Sequence, residues 1–272
     1  MEGEVRVLDL FSGIGGFSLG LERAGMTTVA FCEIDKFARA VLRKHWPSVP
    51  CYEDIHDVTA ERLGRDGIGR IDVVTGGYPC KPFSHAGKQR GEEDPRHLWP
   101  QMRRVVGEVR PAWVIAENVV GHITLGLDKV LADLEADGYA SRAIVVPACA
   151  VDAPHIRQRV WILARDRDRD RESDVPFDAE VERVQGALAD ADEPGLEGRE
   201  RGIVQERAGE CPTRTSGPRT ESAEPARWLP EPGIRRVVDG IPNRAHRLRC
   251  LGNAVVPQVV EVIGRAILND RK

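Results

Sequence analysis

The stretch Val5–Leu21, VRVLDLFSGIGGFSLGL, decides how this chain reads. Val5–Leu10 reads as a strand and Gly16–Ala24 as a helix, with Gly13, Gly15 and Gly16 at the turn between them. Glycines at such a turn let the backbone approach a ligand closely, and the first N–H groups of the helix are free to receive one. About 20 residues further on, at the end of the next strand, Glu33 is placed to accept a ribose hydroxyl. The spacing departs from G-x-G-x-x-G, because Gly15 and Gly16 are followed by Phe17, Ser18 and Leu19. A nucleoside cofactor without a pyrophosphate therefore fits the turn better than a dinucleotide.

Working outward, Thr27–Cys32 reads as a second strand and Lys36–His45 as a helix with Phe37, Val41 and Leu42 on one face. Ile71–Thr75 and Trp113–Ala116 are further strands, separated by the helical spacing of Leu98–Val109, which Pro111 stops. Leu127–Ala136 is an amphipathic helix ended by Gly138, and Ala143–Pro147 and Val160–Ala164 are strands. This alternation predicts an α/β fold, a doubly wound, Rossmann-like parallel sheet over residues 1–165. After Ala164 the texture changes. Residues 166–226 are acidic, low in complexity and poor in large apolar side chains, and are expected to be a flexible insertion. A basic segment, 227–249, follows as a small, partly irregular recognition lobe. Residues 250–272 then carry a helix, roughly Val255–Leu268, whose apolar stripe predicts a return to the first domain.

Composition bounds the function classes. With 41% hydrophobic and 30% charged residues the balance is that of a soluble globular chain, and no apolar run approaches a membrane span. The first residues lack the apolar core of a secretory signal. Six cysteines without C-x-x-C spacing argue against a disulfide framework and a structural zinc site, so a cytoplasmic location and no metal are expected. The formal net charge of −4 hides a split. Acids outnumber arginines roughly two to one in 166–226, which leaves the rest net positive and open to an anionic partner.

Three further segments carry chemistry. Val73–Gly91 brings Gly76, Gly77, Pro79 and Cys80 to the carboxyl edge of the sheet, where open α/β folds bind ligands. A lone cysteine is commonly an inert core thiol. Here the flanking glycine and prolines make a fixed loop, and Lys81 favours the thiolate, so Cys80 reads as a nucleophile. Glu117 ends an almost wholly apolar strand, as a cap or as a catalytic acid with a raised pKa. Arg157 and Arg159 stand two apart at a strand start, either as a solvated face or as a clamp for a phosphate or a pyrimidine carbonyl. Asp54 and Ile55 form a polar–apolar pair suited to an adenine, although a turn or cap role for Asp54 is the simpler reading.

In chain order, Asp-x-Phe-x-Gly-x-Gly-Gly, Pro-Cys-x-x-Phe-Ser, Glu-Asn-Val, Arg-x-Arg and Gly-Asn-Ala-Val resemble the motifs of the DNA cytosine-5 methyltransferase family, in its compact phage or bacterial form. The resemblance covers about 1–165 and 240–268. It implies a methyltransferase sheet that binds S-adenosylmethionine and methylates C5 of a flipped-out cytosine in double-stranded DNA. By this resemblance Cys80 attacks C6, Glu117 binds N3 and the exocyclic amine, and Arg159 holds the carbonyl with Arg157 beside it. Phe11, Ser12, Gly13 and Gly15 would surround the methionine part of the cofactor, Glu33 the ribose, and Ile34, Asp54 and Ile55 the adenine. Pro79, Leu98, Asn253 and Val255 would complete the pocket. Ser84, Lys88, Arg90, Arg235, Arg236, Arg244, Arg247 and Arg249 would contact DNA. The expected partners are DNA and the cofactor, with no membrane, for a monomer that works beside a cognate restriction nuclease.

Three features depart from the family pattern. Lys81 replaces a usual glutamine, the motif that normally precedes Gly-Asn-Ala-Val is replaced by 228–249, and the recognition region is short and acidic. An RNA cytosine-5 methyltransferase and a catalytically silent DNA-binding relative stay open as alternatives. A Rossmann oxidoreductase is disfavoured by the glycine spacing and by a reactive loop that hydride transfer would not use.

Overall fold

The structure, a computed structural model, describes residues 3–79, 98–168, 175–190 and 244–268. Cys80, Ser84, Lys88, Arg90, Arg235 and Arg236 lie outside these residues, and for Arg244 only the backbone is described. Five strands run parallel: β1 (Arg6–Leu10), β2 (Thr27–Cys32), β3 (Cys51–Tyr52), β4 (Val73–Gly76) and β5 (Trp113–Val119). β6 (Tyr139–Val146) and β7 (Arg159–Asp166) complete a seven-stranded sheet in the order β3-β2-β1-β4-β5-β7-β6. The helices are α1 (Gly16–Ala24), α2 (Lys36–His45), α3 (Ala60–Arg65), α4 (Trp99–Val109), α5 (Leu127–Ala136), α6 (Phe177–Asp190), α7 (Arg244–Asn253) and α8 (Pro257–Leu268).

The sheet is the Rossmann-like one expected, with one departure from wholly parallel strands. β7 runs antiparallel to both β5 and β6. A parallel return needs a crossover, usually a helix. The link from β6 to β7 holds only a 3₁₀ turn, Ala148–Val151, so the chain turns straight back. β3 escaped sequence reading because two residues carry no periodicity.

Apolar side chains fill both faces of the sheet, as a doubly wound fold requires. On one face Val7, Val73 and Trp161 pack with Phe17 and Leu21 of α1 and Val259 and Ile263 of α8. On the other, Leu8, Leu10 and Val74 meet Trp99, Met102 and Val106 of α4 and Leu134 of α5.

Residues 177–190 correct the expectation of a flexible insertion. Phe177, Val181, Val184 and Leu188 form one stripe of α6 and are buried in the core. Composition averaged over 166–226 hid this 14-residue amphipathic pattern. Glu180, a buried acid of this helix, is paired with buried Arg165 at 2.7 Å. In α2 the buried residues are Ala38, Arg39 and Leu42, while Phe37 and Val41 are only half-buried.

The C-terminal segment does return. α8 lies so close to α1 that at Gly20 no side chain has room. A Cβ at Gly20 would lie 2.5 Å from the Pro257 carbonyl oxygen and 2.5 Å from Val260 Cβ. Ala245–Leu268 is long and apolar enough to cross a bilayer, but α7 and α8 are separate helices and α8 packs into the core. The glycines give a paired prediction. Gly107, on the exposed side of α4, has nothing within 4 Å of its Cβ position. Gly107→Ala gains helix propensity and should stabilise by up to about 1 kcal/mol. Gly20→Ala gains the same propensity but forces two backbones apart, and should destabilise by about 1–3 kcal/mol. Thermal unfolding of the two variants should therefore move the midpoint in opposite directions.

Candidate active site

β1 lies between β2 and β4, and successive connections leave it on opposite sides, so a crevice opens at the carboxyl ends of these strands. A cavity of about 660 Å³ occupies that crevice. Phe11, Ser12, Gly13, Glu33, Ile34, Asp54, Ile55, Pro79, Leu98, Asn253 and Val255 all line it, as do Glu117 and Arg159. Residues from eight separate segments thus line one cavity. Gly15 does not line it. Its left-handed backbone (φ 84°) serves the turn, and Trp46 covers the position of its Cβ at 2.6 Å.

Hydrogen bonds fix the turn after β1. Ser12 Oγ donates to the Asp9 carbonyl (2.6 Å), and the Gly13 N–H donates to Glu33 Oε2 (2.7 Å). Glu33 Oε1 accepts from the Asp35 N–H (2.7 Å), so this carboxylate is aimed before any ligand arrives. Arg39, buried beneath, donates to the carbonyls of Glu33 and Ile34 and so props the loop from below. Asp54 does cap a 3₁₀ turn, accepting from the His56 N–H (2.9 Å), and it lines the cavity as well. Under the turn, Asp9 is wholly buried and receives the hydroxyls of Ser18 (2.8 Å) and Thr75 (2.9 Å). Burial pushes its pKa up to about 7. The sequence offered no sign of this role, since any strand acid reads alike.

The far wall comes from the C-terminal segment. A Cβ at Gly16 would lie 2.7 Å from Val255 Cγ2, so only glycine lets this wall close on α1. Arg249, at the same rim, pairs with Asp35, and His246 stacks on Phe37 with ring centroids 5.6 Å apart. Arg249, for which a DNA contact is expected from the sequence, is engaged with Asp35 at the cavity mouth while its side chain stays exposed. Arg247 is exposed on α7.

The end of β5 supplies the ionisable centre. Glu117 is 7% exposed, and burial raises its pKa to about 7 against the opposing pull of Arg159 and Arg157. Arg159 Nε lies 2.8 Å from Glu117 Oε1, an ion pair, while Oε1 receives no aligned hydrogen bond. A carboxyl poised near neutrality beside a fixed cation suits proton transfer. Arg157 is not beside this pair in the way alternation along a strand implied. Its backbone is left-handed (φ 31°), and its guanidinium donates to the carbonyls of Gly252 (2.8 Å) and Ala254 (2.7 Å).

The segment that leads to Cys80 is also tied to the β5 end. Asn118 Nδ2 donates to the Tyr78 carbonyl (3.2 Å), and the Tyr78 hydroxyl lies 2.7 Å from His122 Nε2. Both rings are buried. Tyr78 and His122 stand 44 positions apart, and no local pattern in the sequence pairs them. Among the described residues no cluster of metal-ligating side chains occurs.

Comparison with known proteins agrees with this geometry. A family model described as C-5 cytosine-specific DNA methylase matches residues 5–205. The Type II methyltransferase M.PspPI of Psychrobacter sp. (strain TA137) is 45% identical over 117 residues, which cover 42% of this chain and 27% of that protein. M.Eco47II of Escherichia coli is 33% identical over 211 residues, 71% of this chain and 49% of that one. The chain thus spans less than half the length of these relatives. Among solved structures, one described as a prophage-encoded DNA modification methyltransferase (E. coli) superposes with a TM-score of 0.54 at 28% identity, over 64% of this chain and 50% of that one. The S. pombe Dnmt2 methyltransferase shares the fold, with a TM-score of 0.52 at 22% identity, over 66% and 54% of the two chains.

Proposed function

The chain belongs to the C-5 cytosine-specific DNA methylase family, and from that premise we propose that it transfers a methyl group from S-adenosylmethionine to C5 of a cytosine in double-stranded DNA. One observation carries the proposal most directly. Glu117, with its pKa near neutrality, and Arg159 open into the same cavity as Glu33, Asp54 and the 253–255 wall. A base site and a nucleoside site meet there with no barrier between them.

The lining suits the cofactor. Glu33 retains lone pairs for a ribose diol while two backbone N–H groups hold it in place. Ile34, Ile55 and Leu98 offer apolar faces to an adenine. Carboxylates at Glu33, Asp35, Glu53 and Asp54 match a cationic ligand. When bound, S-adenosylmethionine supplies an electrophilic methyl on its sulfonium.

The chain's own residues do the rest. C5 of cytosine is a poor nucleophile, and C6 is shielded within a stacked duplex, so the base must be flipped into the site. The Cys80 thiolate forms an Sγ–C6 bond while Glu117 delivers its proton to N3, which makes C5 an enamine carbon. Arg159 holds the ring carbonyl and keeps Glu117 from drifting. Once C5 carries the methyl, its proton leaves to solvent, the Sγ–C6 bond breaks to release the thiolate, N3 gives its proton back to Glu117 and aromaticity returns. The covalent route replaces one difficult step by easier ones.

Phosphate contacts are assigned to Ser84, Lys88, Arg90, Arg235, Arg236, Arg244 and Arg247, which would position the duplex without reading its sequence. The Type II names of the relatives support action on DNA within a restriction–modification pair, and we assign the chain to a bacterial cytoplasm as a monomer. Incubating the protein with duplex DNA and methyl-labelled S-adenosylmethionine tests the reading by nucleoside mass spectrometry. Labelled 5-methylcytosine is the expected product. Its absence alongside measurable cofactor binding would overturn the DNA assignment.

A further inference from the structure

Arg157 precedes Arg159 by two residues, and alternation along a strand would point both at one substrate. The backbone does otherwise. β7 begins only at Arg159, and Arg157 takes a left-handed conformation (φ 31°) that L side chains adopt at a cost. A local interaction has to hold it there, and two hydrogen bonds do. Arg157 Nη2 donates to the Gly252 carbonyl at 2.8 Å and to the Ala254 carbonyl at 2.7 Å.

Those acceptors are telling. Gly252 lies in the last turn of α7 and Ala254 just beyond it, where helix carbonyls lack intrahelical partners and the dipole favours a cation. The residues interleaved with them, Asn253 and Val255, are cavity wall. Val255 in turn rests on Gly16 at the head of α1. Arg157 therefore grips the wall from outside the cavity; it lines a separate surface groove and not the cavity itself. Two residues on, Arg159 grips Glu117.

We infer that Arg157 is a positioning residue: it caps α7 and holds the 252–255 wall of the cofactor cavity in register with the Arg159–Glu117 pair, and it does not contact DNA. The inference deepens the function proposed above and rests on it. It also reverses the role expected from the Arg-x-Arg spacing, a second contact to the base or a phosphate.

The two roles separate experimentally. Binding of S-adenosylhomocysteine is measured by calorimetry without DNA, and DNA binding is measured across a salt series, for the full chain and for Arg157→Met and Arg157→Lys. A wall role predicts that Arg157→Met weakens S-adenosylhomocysteine by roughly tenfold, as for loss of charge-assisted hydrogen bonds, with the salt slope of DNA binding unchanged. Arg157→Lys recovers only part of that affinity, because its ammonium keeps the charge but sits one bond nearer the backbone than Nη2 and reaches the two carbonyls less well. A phosphate role predicts the reverse. Cofactor affinity would stay as in the parent, the slope would fall by about one ion in Arg157→Met, and lysine would restore it. That pattern overturns the inference. So does a lowered unfolding midpoint with unchanged cofactor affinity, which would mark a residue of fold alone. If Arg157→Met does not fold, the lysine variant decides by the same two readings. Failure of the parent chain to bind S-adenosylhomocysteine would instead count against the proposed function.

Discussion

A Cys80→Ala chain forms no labelled 5-methylcytosine above background, yet binds S-adenosylhomocysteine within about twofold of the parent, as expected for a change confined to the reacting atom. The expectation follows from the chemistry of the base. Without a sulfur bond at C6, C5 does not become an enamine carbon, and no other group in the cavity wall is a comparable nucleophile. Cys32 and Cys250 line the cavity too, but burial raises the thiol pKa of both, to about 12 for Cys32, which disfavours their thiolates. Cofactor affinity should survive because the described wall residues reach the cavity through Ser12, Glu33 and the C-terminal segment. Residual methylation in this variant would mean that the nucleophile is elsewhere.

Glu117→Gln is expected to lower turnover by about 10²–10⁴-fold, the span usual for a positioned general acid. Glutamine keeps the shape and a hydrogen-bond donor but has no proton to transfer. The pH profile adds a sharper reading. Burial raises the Glu117 pKa to about 7, against the pull of Arg159 and Arg157, so the carboxyl carries its proton below about pH 7 and loses it above. The rate should thus fall on the alkaline side as pH rises through about 7, tenfold per unit once the carboxylate dominates. In Glu117→Gln that fall should vanish, and the remaining acid-side limb belongs to formation of the thiolate. An alkaline limb that persists unchanged in the glutamine variant would show that another group titrates there.

The pairing of Glu117 with Arg159 explains how an acid can sit near neutrality without disrupting the fold. A buried carboxylate is costly when bare and tolerable beside a fixed cation. The pair crosses from β5 to its antiparallel neighbour β7, in the zone where Glu117 is opposite Trp161 and Val119 is opposite Arg159. The β6–β7 return that departs from a wholly parallel sheet is therefore what delivers Arg159 to the active edge. Had β7 run parallel to β5, its first residues would lie at the opposite end of the sheet.

Much of this protein was determined along the chain. β1, α1, β2 and α2 follow from local alternation, from the glycine turn and from Pro and Gly stops, because periodicity and turn chemistry act within a few residues. The motif order identified the family, and eleven of the twelve cofactor positions named from it line one cavity. Tertiary structure decided the rest. Averaged composition hid α6, whose apolar stripe has value only against the core it meets. Gly15 went to the turn and not the cavity because Trp46, from the end of α2, occupies its open side. Arg157 reaches the α7 carbonyls because these acceptors, 95 and 97 residues away, come within hydrogen-bonding distance only in the folded chain. Tyr78 found His122 across 44 positions, and Arg249 found Asp35 across 214. Local sequence sets which conformations a segment favours, and long-range partners exist only once the chain has closed on itself.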